Sequence, residues 1–172
     1  MPQPVYITER VYQRLTRADI ALTTLQAHPH LALMSADFAE IEETLSLLDD
    51  WEERYRYIID LGRDLPPFEA ALKVPELKVR GCSSQVWIKG DWAGDGTLAL
   101  TGDSDAHIVR GLMAILFALF GGRSAKDIDG IDAKAQLDAL GLAGALSPTR
   151  TNGLYSMVER IKAMAAAQSE SA

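Results

Sequence analysis

A single thiol, Cys82, stands in the run VRGCSSQVWI, with Gly81 before it and Ser83 and Ser84 after it. Glycine frees the backbone to turn sharply, so this context predicts a thiol presented on a loop between two extended runs, within reach of a partner. A lone cysteine can equally be a small buried hydrophobe, but a core cysteine sits inside an apolar run and this one does not. The reactive form of a thiol is the thiolate, and a nearby cation favours it. Arg80, two residues earlier, has the spacing that shares one side of an extended strand; a solvated edge charge is its other reading.

Other residues could add chemistry around that sulfur. His107 falls in the first turn of an apolar run after the segment GDSD and could act as a base for Cys82, which would make a cysteine hydrolase. No orienting third group or oxyanion loop is legible to support it. His28 and His30 bracket Pro29 with no cysteine nearby, and read as surface polar residues. Asp103, Ser104 and Asp105 of GDSD are acids and a hydroxyl ahead of a helix, where capping is the expected role. The segment SPTRTNG reads as a turn that presents Pro148, Arg150 and Asn152, and arginine on a turn can bind an anion or stay solvated. No GxGxxG or GxxxxGK[ST] run occurs, so a nucleotide fold is not expected.

The balance of charge narrows the partners. Lys and Arg total 17 against 24 for Asp and Glu, a net charge of -7, which disfavours attraction to nucleic acid or anionic membrane. One cysteine and three histidines do not supply the ligands of a structural zinc site or a cysteine-held cluster, so no metal or cofactor is expected. No apolar run approaches the roughly 20 residues needed to span a bilayer, and the first residues lack the order of a secretory signal. A cytoplasmic location is the expectation.

The elements that must position Cys82 follow from periodicity. Glu9 to Gln26 has helical spacing, and Ala27 to Ser35 reads as a connection broken at Pro29. Ser35 or Asp37 can cap a helix whose stripe is Phe38, Ile41, Leu45 and Leu48. Asp50 with Glu53 resembles a capping box opening a helix with Trp51, Tyr55, Ile58, Ile59 and Gly62 on one face, closed before Pro66 and Pro67. From about Glu76 to Thr101 the period becomes two, through Val79, Val86, Ile88, Leu98 and Leu100, with GDWAGDG as a hairpin connection. Asp103 or Ser104 is then expected to start a helix apolar nearly all round, stopped at Gly121 and Gly122. Two amphipathic helices, Lys126 to Leu140 and Gly153 to Ala167, with a frayed SESA tail, complete an α+β single domain in which a small antiparallel sheet is packed by helices.

Taken in order, WEERYRYIIDLGRDLP, VRGCSSQVWI, GDSDAHIVRGLMAILFALF and LSPTRTNGLYSMVERIKAMA resemble the SufE family of sulfur acceptor proteins, which includes CsdE-type members. The resemblance runs from about Phe38 to Ala167. It implies a fold shared with IscU-like scaffolds over residues 36–172, with residues 1–35 as an N-terminal helical extension. It also implies that Cys82 accepts persulfide sulfur from a pyridoxal-phosphate cysteine desulfurase and passes it to a downstream Fe-S scaffold or sulfur acceptor. Gly81, Ser83 and Ser84 would form the supporting loop, and Arg80, Arg150, Asp103 and Asp105 would contact the partner or the persulfide. The protein would then be an accessory of sulfur transfer without stand-alone enzymatic activity. A non-covalent activator of the desulfurase is the alternative.

Overall fold

The computed structural model describes residues 37–142 and 146–171; the expected helix from Glu9 to Gln26, the connection to Ser35 and the histidines at 28 and 30 lie outside them. Helix α1, Phe38–Leu47, opens with a full capping box: the Asp37 side chain accepts from the first turn while Glu40 reaches back to the Asp37 N–H. Its buried stripe is Phe38, Ile41 and Leu45. Helix α2, Trp51–Arg63, is capped by Asp50, whose Oδ1 accepts from Glu52 N at 2.5 Å and from Glu53 N at 3.4 Å. Both starts follow from short acidic side chains satisfying donors that a helix end leaves open.

The sheet has two antiparallel strands, β1 Val86–Trp92 and β2 Leu98–Ser104, with Ile88 opposite Gly102 and Trp87 opposite Asp103. The turn between them is shorter than GDWAGDG, because Gly90, Asp91 and Trp92 stay in β1 and the reversal takes Ala93 to Thr97. Val79, expected on a strand, lies just after an isolated bridge of Lys78 with Trp87: its N–H donates to Val86 O at 2.9 Å, and Ile88 N donates to Leu77 O. At the other end β2 runs past Thr101 through Ser104, so Asp103 and Ser104 are strand residues and do not cap the next helix. Pairing with Trp87 and Val86 offers their backbone a ladder that a helix start would forgo.

Helix α3, His107–Phe120, is the centre of the fold, and its N-cap, Ala106, has no side-chain bond. Leu112, Ile115, Leu116 and Phe120 are at most 1 % exposed, and each such side chain contributes about 1.5–3 kcal/mol of burial. Its contact with α2 is made by backbone. A Cβ on Gly62 would lie 2.5 Å from Gly111 N, and one on Gly111 would strike the Ile58 carbonyl. The two helices therefore cross at a distance only glycine permits.

Beyond α3 the expected helix from Lys126 to Leu140 divides into α4, Ala125–Asp129, and α5, Ala133–Ala139. Gly130 closes the first, and Asp132 restarts the chain by accepting from Ala135 N at 3.0 Å. The division lets Ile128 and Leu137 both reach the core. The last helix, α6, runs Pro148–Ser171, so SPTRTNG is its opening and not a turn, and the tail remains helical to Ser171. Proline suits that first position because its missing N–H is unbonded there anyway.

Gly111→Ala should destabilise the fold by roughly 1–3 kcal/mol, the usual cost of overpacking. Urea unfolding followed by circular dichroism measures it, and an unchanged midpoint would contradict the backbone contact described.

Candidate functional site

Cys82 sits in a loop of six residues, 80–85, that is tied at its neck and at its exit. The neck is the Val79 N–H to Val86 O bond at 2.9 Å. At the exit the Asp105 carboxylate accepts from Gln85 N at 2.9 Å while Asp105 N donates to Gln85 O at 3.3 Å. Gly81 makes the bend with φ +90°, a left-handed conformation that side chains other than glycine seldom adopt, and a Cβ there would be 2.5 Å from Ser156 Oγ on α6. Both the turn and the close approach require glycine at this point.

The loop lays its sulfur on the backbone of α6. Cys82 Sγ donates to Gly153 O at 3.4 Å. Around it is a narrow cleft of about 10 Å³, lined by Ser83 and Ser84 from the loop, Val109 and Leu112 from α3, and Thr149, Arg150, Leu154 and Met157 from α6. Apolar walls desolvate the thiol and push its ionisation above the ordinary value. Arg80 is exposed in the turn before it, so in the closed loop burial, and not the Arg80 cation, sets the protonation state: Cys82 rests as a neutral thiol.

The remaining candidates divide. Arg150 lines the cleft, where the first turn of α6 places it near Cys82 with its own side chain exposed. Asp105 touches the loop through Gln85 only. Asp103 is engaged elsewhere. Its carboxylate meets Arg110 Nη1 and Lys73 Nζ, each at 2.7 Å, and Arg110 Nε donates to Gly62 O at 3.2 Å. Burial alone would raise the Asp103 carboxyl, but the Lys73 hydrogen bond and the two positive charges outweigh it and hold it below the usual range. The expectation that GDSD caps α3 is corrected on each residue: Asp103 joins β2 to α2 and α3, Ser104 Oγ accepts from Ala106 N at 3.2 Å, and Asp105 secures the sulfur loop.

His107 does not serve Cys82. It opens onto another cleft, with Ile59, Gly62, Arg63 and Arg110, while Val109 and Leu112 of the same helix face the sulfur. The Cys–His pair required by a hydrolase is therefore not assembled. Among the described residues no group of three or more His, Cys, Asp or Glu is placed to hold a metal ion, and no helix is long and apolar enough to cross a membrane.

Residues 39–165 match the SufE family, described as an Fe-S metabolism associated domain. The chain belongs to the SufE family. It is 46% identical over 133 residues to an uncharacterized SufE-like protein of Rhizobium etli, covering 76% of this chain and 90% of that one. It is likewise 46% identical over 129 residues to an uncharacterized SufE-like protein of Rhizobium meliloti, covering 73% and 92%. The solution structure of a hypothetical protein from Thermus thermophilus superposes with a TM-score of 0.64 at 18% identity, over 78% of this chain and 97% of that one, and so shares the fold. Membership associates the chain with Fe-S metabolism and gives the SufE domain its α+β architecture.

Within this SufE domain the residues that sequence reasoning missed are Gly153, Thr149 and the apolar floor of Val109, Leu112 and Met157. Ser147 followed by Pro148 is a helix-start signal that would have placed Thr149, Arg150 and Gly153 on one helix face; the Asn152–Gly153 pair reads as a turn and masks it. Asp105→Ala removes the side-chain half of the exit tie, a hydrogen bond worth about 0.5–1.5 kcal/mol, and keeps the backbone half. Alkylation of Cys82 by iodoacetamide should then speed up by roughly two- to tenfold, with overall stability little changed; an unaltered rate would show that Asp105 does not hold the loop.

Proposed function

We propose that this SufE-family chain is a covalent sulfur carrier, in which Cys82 takes sulfane sulfur from the active-site persulfide of a pyridoxal-phosphate cysteine desulfurase, relieves that enzyme of its product, and delivers the sulfur to a scaffold or acceptor for iron-sulfur cluster assembly. The observation that carries the reading is the seat of Cys82: a loop tied at two points, over an apolar cleft, with its thiol against one helix. Such a seat keeps the sulfur unreactive until something opens the loop.

The transfer needs few groups. Once ionised, Cys82 Sγ attacks the outer sulfur of the partner's persulfide; a new S–S bond forms as the old one breaks, and the partner's cysteine leaves as a thiolate with the electron pair. The exchange balances without oxidant or reductant. Ionisation is disfavoured while the loop is closed, so docking has to expose Cys82 before it can act. Gly81 supplies the bend on which the loop swings, and Ser83 and Ser84 give it short polar side chains. Arg150, at the rim of the cleft, supplies a positive charge for the persulfide anion or for an acidic group of the partner. Arg80 and Asp105 flank the loop where a docking partner meets it, and Asp103 acts on the site through the packing of β2 on α3. The acidic balance of the chain, net charge -7, suits a basic surface on the desulfurase.

Incubation with a cysteine desulfurase, cysteine and pyridoxal phosphate should add one sulfur, about 32 Da, to Cys82 by intact-mass spectrometry, in keeping with persulfide exchange. Cys82→Ser should carry no adduct and lose stimulation of the desulfurase. Full stimulation by that variant would instead identify a non-covalent activator, and absence of any adduct on the wild-type protein would refute the carrier.

The pH dependence of alkylation gives a second check. Because burial raises the Cys82 thiol, its reaction with iodoacetamide in the isolated protein should reach half-maximum above the ordinary thiol range, and docking of the desulfurase should move that midpoint down. The sign follows from linkage: the closed loop is favoured at pH values below the thiol's ionisation and loosens as pH rises through it. A midpoint at or below the ordinary value in the free protein would mean that the loop is not closed at rest.

A further inference from the structure

We propose that Gly153 is a positioning residue for the transferred sulfur: the side chain missing from this turn of α6 leaves a notch in which the closed loop holds one added sulfur atom on Cys82 and excludes a longer sulfur chain. The proposal rests on the carrier reading and adds to it the residue that sets how much sulfur is stored.

Gly153 is buried within α6, where glycine is among the least favourable residues. Its backbone offers no reason for glycine, since positive φ occurs among the described residues at Gly81, Gly96, Gly122 and Gly141 and not at Gly153. Space supplies the reason. A Cβ at this position would lie 3.3 Å from Cys82 Sγ and 3.7 Å from Cys82 Cα and Cβ, closer to the sulfur than ordinary non-bonded carbon contacts allow. The same residue accepts the thiol through its carbonyl at 3.4 Å, so a methyl group there would displace the sulfur from its partner.

The size of the cleft sets the second half of the proposal. About 10 Å³ is open beside the thiol, close to the minimum that holds one water-sized sphere. A persulfide places its outer sulfur ~2.05 Å from Sγ, and a space near the minimum for one small sphere leaves no room for a second added sulfur. Val109, Leu112, Leu154 and Met157 line the cleft and shield a single outer sulfur from reductants in water.

Sulfur can be loaded without a desulfurase. The Cys82 thiolate attacks inorganic polysulfide, one S–S bond forms on Cys82 as one breaks in the polysulfide, and the shortened polysulfide anion leaves with the electron pair. Wild-type protein and Gly153→Ala are loaded in this way, and the decay of the adduct in dithiothreitol is followed by intact mass. The wild type is expected to retain one added sulfur and no second one. Gly153→Ala is expected to unfold in urea at the same or a higher concentration, because alanine favours the helix. Its unloaded Cys82 should alkylate at least about threefold faster and its persulfide should decay at least about threefold faster, as the overpacked loop is held open. Equal alkylation and equal decay in the two proteins would overturn the proposal, as would retention of two sulfurs by the wild type. Should the polysulfide results hold while no desulfurase loads the wild type, the carrier reading fails and the notch stands.

Discussion

Helix α3 has to be covered on all but one narrow face, and most of the structure is what covers it. Ten of its fourteen residues are buried; only the stripe of His107, Arg110, Ala114 and Ala118 is open in whole or part to water, and the rest obliges α2, the hairpin and α6 to pack around it. The tightest of these contacts is the crossing of Gly62 and Gly111 with α2. On another side, Val109 and Leu112 meet α6 and the sulfur loop together. The apolar bed under Cys82 is therefore part of the domain core, and the thiol's raised ionisation is a consequence of the same burial that stabilises the fold.

A thiol on the edge of a core is protected and restrained by the same burial. A neutral, half-covered thiol resists adventitious oxidation and alkylation, since both chemistries depend on thiolate and access. The same thiol is a poor nucleophile until released. The loop is held by few bonds: a neck, an exit tie to Asp105 and a weak S–H donation to Gly153. The strong electrostatic links, Asp103 with Lys73 and Arg110, lie away from the loop and join β2 to the helices. The link to the core and the tie to the loop are thus made by different members of one short acidic segment.

Much of this was legible in the chain. The starts of α1 and α2 were readable from Asp37 and Asp50, because capping is a local interaction between a side chain and the next turn. The apolar stripes and the nearly all-apolar α3 followed from periodicity alone. Cys82 between Gly81 and two serines announced a thiol on a loop, though one laid against α6, and the four sequence blocks announced a SufE domain. What was misread shares a cause. GDSD looks like a helix cap and Asn152–Gly153 looks like a turn, but in the fold Asp103 and Ser104 complete a strand and Gly153 lies inside a helix. His107 shares a helix with residues that face the sulfur, yet it opens onto another cleft.

The amino-acid order by itself determined that Cys82 is the one thiol, where α1 and α2 start, which apolar stripes face the core, and the family, because composition, local capping and hydrophobic period act within a few residues. Tertiary structure alone decided the company Cys82 keeps: Gly153 and Arg150 some seventy residues away, Val109 and Leu112 beneath it, and Asp105 at the loop's exit. Those neighbours are chosen by how helices and a hairpin cover one buried helix, a long-range packing problem that local preferences do not encode.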